Sequence, residues 1–267
     1  MLEMKDICIS YRNGGKKFPV IEGLTVEFAR GFNVILGPNG AGKTTLMKAV
    51  FGILPYSGQI LMDGRDIAPL SIEEKTRLIS YLPQMDISSS NLTVLEMALL
   101  GRVPDLGYRV KDEDLQIVVK VLRDLGLEAL AGRPFTQLSG GQQKMVLIAQ
   151  TLVRSPSLIL LDEPVNSLDM QKQLELCEML QRITRRDGVD VLAILHDINL
   201  AARFADYLVV LDHRGKVYAC GAPGEIVTAK MLEDVYGVLG DVYVDERNVP
   251  HILPQRSVNS SAEDETG

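Results

Sequence analysis

Two short stretches of this sequence combine the residue types that phosphate chemistry needs. Gly37-Pro38-Asn39-Gly40-Ala41-Gly42-Lys43-Thr44 fits the pattern G-x-x-x-x-G-K-[ST]. In that spacing glycines let successive backbone N–H groups turn inward around phosphates. A helical run from Thr45 to Phe51 follows, so a helix dipole would add positive potential, Lys43 a full charge and Thr44 a hydroxyl for Mg²⁺. By residue frequency alone, such a match arises in roughly one chain in a hundred of this length. The apolar strand before it and the helix after it cut that rate further. The second stretch, Leu158-Ile-Leu-Leu-Asp162-Glu163, sets two carboxylates at the end of an apolar run. Ligands of open α/β sheets bind at the C-terminal ends of strands. Asp162 is suited to hold Mg²⁺ through water, and Glu163, on the other side of the pleat, to act as general base.

The elements that must position these groups can be read from hydrophobic pattern. Asn33 to Leu36, Leu158 to Leu161 and Val191 to Leu195 are nearly continuous apolar runs. Such runs suit strands covered on both faces of a parallel sheet. Each leads into a helix-like segment, which gives a layered α/β core. From about Met85 to Ser155 the pattern is helical, with segments at Thr93 to Leu100, Asp112 to Leu125 and Gln142 to Val153. Short strands near Cys8 to Ser10, Leu24 to Phe28 and Gln59 to Met62, with turns at Asn13-Gly14-Gly15 and Ser57-Gly58, predict an antiparallel edge. The polar, acidic residues from Arg256 to Gly267 predict a mobile tail.

Bulk properties exclude several function classes. The 267 residues are 46% hydrophobic and 24% charged, ordinary values for one compound globular domain. No apolar run approaches the ~18 residues of a membrane span. The opening Met-Leu-Glu-Met-Lys-Asp lacks the basic and apolar regions of a secretory signal, so residence inside the cell is expected. Cys8, Cys177 and Cys220 show no C-x-x-C spacing and read as reduced thiols, not as a zinc site. A net charge of -7 gives no general attraction to nucleic acid, and none is expected as a partner.

Leu138-Ser139-Gly140-Gly141-Gln142 lies just upstream of Asp162-Glu163 and resembles the signature motif of ATP-binding cassette (ABC) ATPases. Ser139 is also a good N-cap, and the helix after it carries Met145, Ile148, Ala149 and Leu152 at core spacing, so its free N–H groups can receive an anion. Alone, this would be an ordinary capped helix; between a phosphate loop and an acidic strand end it gains meaning. The resemblance extends from about Leu2 to Val244. It implies a P-loop ABC cassette with a parallel-sheet core (1–84 and 156–245), an antiparallel β edge, an inserted all-α subdomain (85–155) and a C-terminal extension (246–267).

Matched position by position, the resemblance implies further roles. Tyr11 is similar to the residue that stacks on adenine, and Thr45 completes the nucleotide contacts beside Lys43 and Thr44. Gln84 resembles the glutamine that touches Mg²⁺ and water, Ser167-Leu168-Asp169 the loop at the dimer interface, and His196 the switch histidine at the γ-phosphate. Two copies would meet head to tail, with ATP on Lys43 and Thr44 of one closed over by Ser139, Gly140, Gly141 and Gln142 of the other. Hydrolysis would place Glu163 and His196 on the water and γ-phosphate, driving an integral membrane permease served indirectly by a substrate-binding protein. The chain would then sit peripherally on the cytoplasmic face of the membrane. Met145 and Val165 stand where the family usually has Arg and Thr, which bears on packing of the signature helix.

Two other readings remain: a soluble ABC ATPase of iron-sulfur assembly, and a non-hydrolysing cassette scaffold. Against the second, Lys43, Gln84, Asp162, Glu163 and His196 are all of the types hydrolysis needs. Three stretches resemble the importer ATPases for ferric siderophores, haem and cobalamin. These are Gly101 to Gly107, His196 to Asp206, and Gly221 to Ile226 leading on to Met231 through Val238.

Overall fold

The computed structural model describes residues 1–14, 16–84, 90–105, 109–166 and 168–258. From the N-terminus run β1 (Leu2–Asn13), β2 (Lys16–Glu27), β3 (Phe32–Leu36), α1 (Lys43–Phe51), β4 (Ser57–Met62) and β5 (Arg65–Asp66). Then come α2 (Ile72–Leu78), β6 (Ile79–Leu82), α3 (Val94–Leu99), α4 (Asp112–Asp124), α5 (Gly140–Leu152), β7 (Leu158–Asp162) and α6 (Met170–Asp187). The remainder is β8 (Asp190–Ile194), α7 (Ile198–Phe204), β9 (Tyr207–Leu211), β10 (Val217–Gly221), α8 (Pro223–Ile226), α9 (Ala229–Tyr236), β11 (Val238–Val244) and β12 (Pro250–Ser257). No helix among the described residues is long and apolar enough to cross a membrane. Two compact units emerge, Met1–Pro69 with Leu192–Gly267, and Leu70–Val191.

In the first unit β2, β1, β4 and β5 form an antiparallel sheet in that order. The strands are longer than their apolar letters suggest, because a bulge in β1 resets its alternation. Leu2 and Met4 are buried, Asp6 takes φ +52°, and Ile7 and Ile9 are buried after it. One extra residue thus returns the next two apolar side chains to the core. Gly58 lies opposite, where a Cβ would stand 2.4 Å from the Asp6 carbonyl oxygen. In β3 all five residues are buried, and the strand pairs in parallel with β9, which pairs antiparallel with β10.

In the second unit β6 pairs in parallel with β7, Ile79 beside Leu158 and Leu82 beside Leu161. Helices α3, α4 and α5 pack on one another. Each start is chemically marked: Thr93 and Glu96 form a capping box on α3, and Ser139 and Gln142 one on α5. Before α4, Gly101 approaches the end of α5 so closely that a Cβ would lie 2.1 Å from the Gln150 carbonyl oxygen. Arg102 next to it donates to Asp114 Oδ1 at 3.0 Å and to the Val153 carbonyl at 3.4 Å. Within the second unit the Asp190 N–H donates to the Ser157 carbonyl, and within the first the Leu195 N–H donates to the Ile35 carbonyl.

Two expectations need correction. Arg256 and Ser257 do not belong to a tail, because β12 continues through Ser257, paired with β11; residues 259–267 of the expected tail lie outside the described residues. On α5 the buried face is Val146, Leu147, Ile148, Ala149 and Thr151, whereas Met145 and Leu152 are half-buried. Neighbours on more than one side widen that face beyond a single helical stripe.

Candidate nucleotide site

The phosphate loop follows from the strand that feeds it. β3 is wholly buried, and at Gly37 the chain turns with φ +144°, a Cβ there falling 2.5 Å from the Leu211 carbonyl oxygen. Only glycine fits that approach. Gly42, at φ +86°, is the N-cap of α1 and supplies no side-chain cap, so the first N–H groups of the helix have no side-chain acceptor from the cap. A Cβ on Gly42 would lie 2.8 Å from Ile21 Cδ1, so β2 packs directly under the loop. Lys43 is only 6% exposed, and its Nζ donates to the carbonyls of Gly37 at 2.7 Å and Pro38 at 2.8 Å. Asn39 and Gly40 at the tip are exposed, Ala41 is buried, and Thr44 is half-buried. Such a loop, with a lysine pinned at its centre and a helix start behind it, suits a polyphosphate.

Tyr11 is 40% exposed, and its hydroxyl lies 3.1 Å from the hydroxyl of buried Thr45. That bond fixes the ring at the entrance to α1. It also engages the Thr45 hydroxyl inside the protein.

In the second unit the acidic strand end has two distinct carboxylates. Asp162 ends β7 at 2% exposure, with Tyr81 donating to its Oδ2 at 3.2 Å. Glu163 has left the strand: its φ is +53°, so the pleat alternation expected to aim it does not apply. A left-handed backbone at a non-glycine residue costs roughly 1–2 kcal/mol, and such strain clusters at functional sites. The Asn166 side-chain amide donates to Glu163 Oε2 and holds the carboxylate in place. Sequence reasoning missed Asn166; its i+3 spacing from Glu163 in a turn was the available signal.

The signature segment is a helix start in fact. Gln142 N–H donates to Ser139 Oγ at 3.3 Å, and Ser139 N–H to Gln142 Oε1 at 3.1 Å, so the Gln142 side chain serves the cap. Ser139 and Gly140 are exposed. A Cβ on Gly141 would lie 3.1 Å from Lys172 Cγ, on α6. Asp169 caps α6 through the Lys172 N–H at 2.9 Å, while Ser167 beside it lies outside the described residues.

A profile of the family described as ABC transporter matches residues 22–166, more than half of the chain. The ferric enterobactin transport ATP-binding protein of Escherichia coli is 39% identical, over 84% of each chain. The chain belongs to the ABC transporter family. A hemin import ATP-binding protein of Bartonella henselae is 35% identical, over 96% of this chain and 97% of its own. A solved ABC transporter of metal-chelate type, in an inward-facing conformation, superposes with a TM-score of 0.80 at 25% identity, over 96% of this chain and 97% of its own.

Within this ABC transporter chain, the two remaining candidates lie at strand ends. His196 is exposed directly after β8 and Leu195, in the same unit as the phosphate loop. Asp197 behind it caps α7, accepting the Leu200 N–H at 2.9 Å. Gln84 is exposed at a bend just after β6, and residues 85–89 beyond it lie outside the described residues. One contact was invisible in the sequence: the Gly37 N–H donates to the hydroxyl of Tyr236, whose phenol is pushed up to about 12, chiefly by burial.

Proposed function

We propose that this chain is the ATP-binding and ATP-hydrolysing subunit of an importer, working as a homodimer beneath a membrane permease that carries a metal chelate. The observation that carries the reading is likeness, over 84% of the chain to a ferric enterobactin transport ATP-binding protein and over 96% to a hemin import ATP-binding protein, joined to a buried Lys43 at the phosphate loop. Ferric siderophore is the first cargo, with haem and cobalamin next. Substrate-binding protein and permease handle the cargo, and the chain itself sits peripherally on the cytoplasmic face.

The oxygen donors of Thr44, Asp162 and Gln84 are hard ligands of the kind Mg²⁺ takes, with one carboxylate leaving room for water and phosphates. Bound there, Mg²⁺ would neutralise charge developing on the β- and γ-phosphates. Lys43 and the loop N–H groups hold the phosphates. Glu163 takes a proton from the water that attacks the γ-phosphorus, ADP leaves, and His196 donates a hydrogen bond to the phosphoryl oxygen. Ser139 and the N-terminus of α5, exposed on the surface, close over the nucleotide of the other protomer.

The test is uptake in a strain lacking this chain and any redundant importer. Loss of labelled ferric siderophore, haem or cobalamin uptake is expected; normal uptake of all three overturns the cargo assignment.

A further inference from the structure

The end of the described chain is tied to two parts of the candidate site in the first unit. Asn199, on α7, uses both ends of its amide on a single residue of β12. Its Nδ2 donates to the Ile252 carbonyl at 3.3 Å, and its Oδ1 accepts the Ile252 N–H at 2.7 Å. That is the exchange of two bonds a neighbouring strand would make, so α7 stands in for a strand beside β12. Helix α7 begins at its Asp197 cap, immediately behind His196. At the other anchor Tyr236, the last residue of α9, accepts the N–H of Gly37, the first glycine of the phosphate loop.

The link between these anchors is stiff. Gly237 ends α9 at φ +63°, and the Val258 N–H returns to its carbonyl at 2.9 Å, closing the base of the β11–β12 hairpin. At the tip, Asp245 accepts the N–H groups of Arg247 and Val249 at 2.9 Å each, and pairs with His251 at 3.1 Å. Seven residue pairs join the two strands between these ends. A two-stranded hairpin alone is marginal in water; here its hold on α7 and α9 supplies the missing support.

We propose that α9, β11 and β12 form a brace that fixes His196 relative to the phosphate loop, with Asn199 and Tyr236 as positioning residues for hydrolysis. The proposal rests on the reading of His196 given above. Its physical basis is that a displacement of about 1 Å at a reacting group can cost on the order of 10²-fold in rate. Neither Asn199 nor Tyr236 touches nucleotide in this scheme, so their effect passes through His196 and the loop.

The experiment is a double-mutant cycle on the full chain with Mg-ATP. Asn199→Ala should lower kcat about 10-fold or more and leave KM for ATP within about twofold. Asn199→Asp, which keeps the acceptor for the Ile252 N–H, should recover part of the loss and covers the case in which the alanine variant fails to fold. In a His196→Ala background, Asn199→Ala or Asn199→Asp should add nothing, because the residue it positions is gone. Multiplicative losses in the two backgrounds, or wild-type kcat for both Asn199 variants, overturn the brace. A His196→Ala chain that hydrolyses ATP at full rate overturns the role of His196 and the brace with it, and so is distinguishable from failure of the brace alone.

Discussion

Lys43 Nζ donates to the Gly37 carbonyl at 2.7 Å, joining the two ends of the phosphate loop across six residues. The lysine is therefore both the loop's clasp and its full positive charge. A charge buried to 6% exposure is held by carbonyl oxygens until a better acceptor arrives.

Lys43→Ala should weaken ATP binding by about 10-fold to 100-fold, since a hydrogen bond to a charged group contributes roughly 1.5–3 kcal/mol. Titration with a fluorescent ATP analogue reads it directly. Unchanged affinity would remove the lysine from the phosphate site.

Glu163→Gln should keep ATP binding and slow hydrolysis at least ~10²-fold, the lower end of general-base contributions. Because the glutamine is nearly isosteric, the Asn166 contact can persist through the amide oxygen. Sedimentation of this variant with Mg-ATP should show a dimer; a monomer would argue against closure of two chains over nucleotide.

Ser139→Arg should lower hydrolysis while binding of ATP to the isolated chain survives, because a bulky cation at the start of α5 opposes both the helix dipole and closure on the partner. Loss of the cap also costs about 1 kcal/mol of stability, so melting is recorded alongside. If binding and hydrolysis fall together, Ser139 serves its own protomer's nucleotide.

Acid stability should report on the clamp at the start of α4. The Lys111 backbone N–H, then Arg102, hold the Asp114 carboxyl below the ordinary aspartate value of 3.8. The folded chain thus releases this proton more readily than the unfolded one. The contribution to stability is complete above pH 3.8 and is lost as pH falls through the lower folded value. Asp114→Asn should flatten the acid limb of a pH series of urea melts; an unaltered limb would remove the clamp from the acid response.

The sequence by itself determined which residue types stand together in contiguous motifs and where the local elements lie. The loop from Gly37 to Thr44, the apolar run ending in Asp162-Glu163 and the cap at Ser139 are contiguous patterns whose spacing follows from backbone geometry, and α1, α5 and β7 stand where those patterns put them. Five things came only from tertiary structure. The bulge at Asp6 depends on a partner strand, β4, far along the chain, and the β11–β12 hairpin on its packing against α7, far upstream in the chain. The left-handed turn at Glu163 depends on how β7 leaves its sheet. The bonds from Asn199 to Ile252 and from Gly37 to Tyr236 join residues separated by 53 positions in the first case and by 199 in the second. Hydrophobic period and turn chemistry act over a few residues, whereas these contacts exist only after distant segments have been brought together by burial, and no local pattern encodes which segments those are.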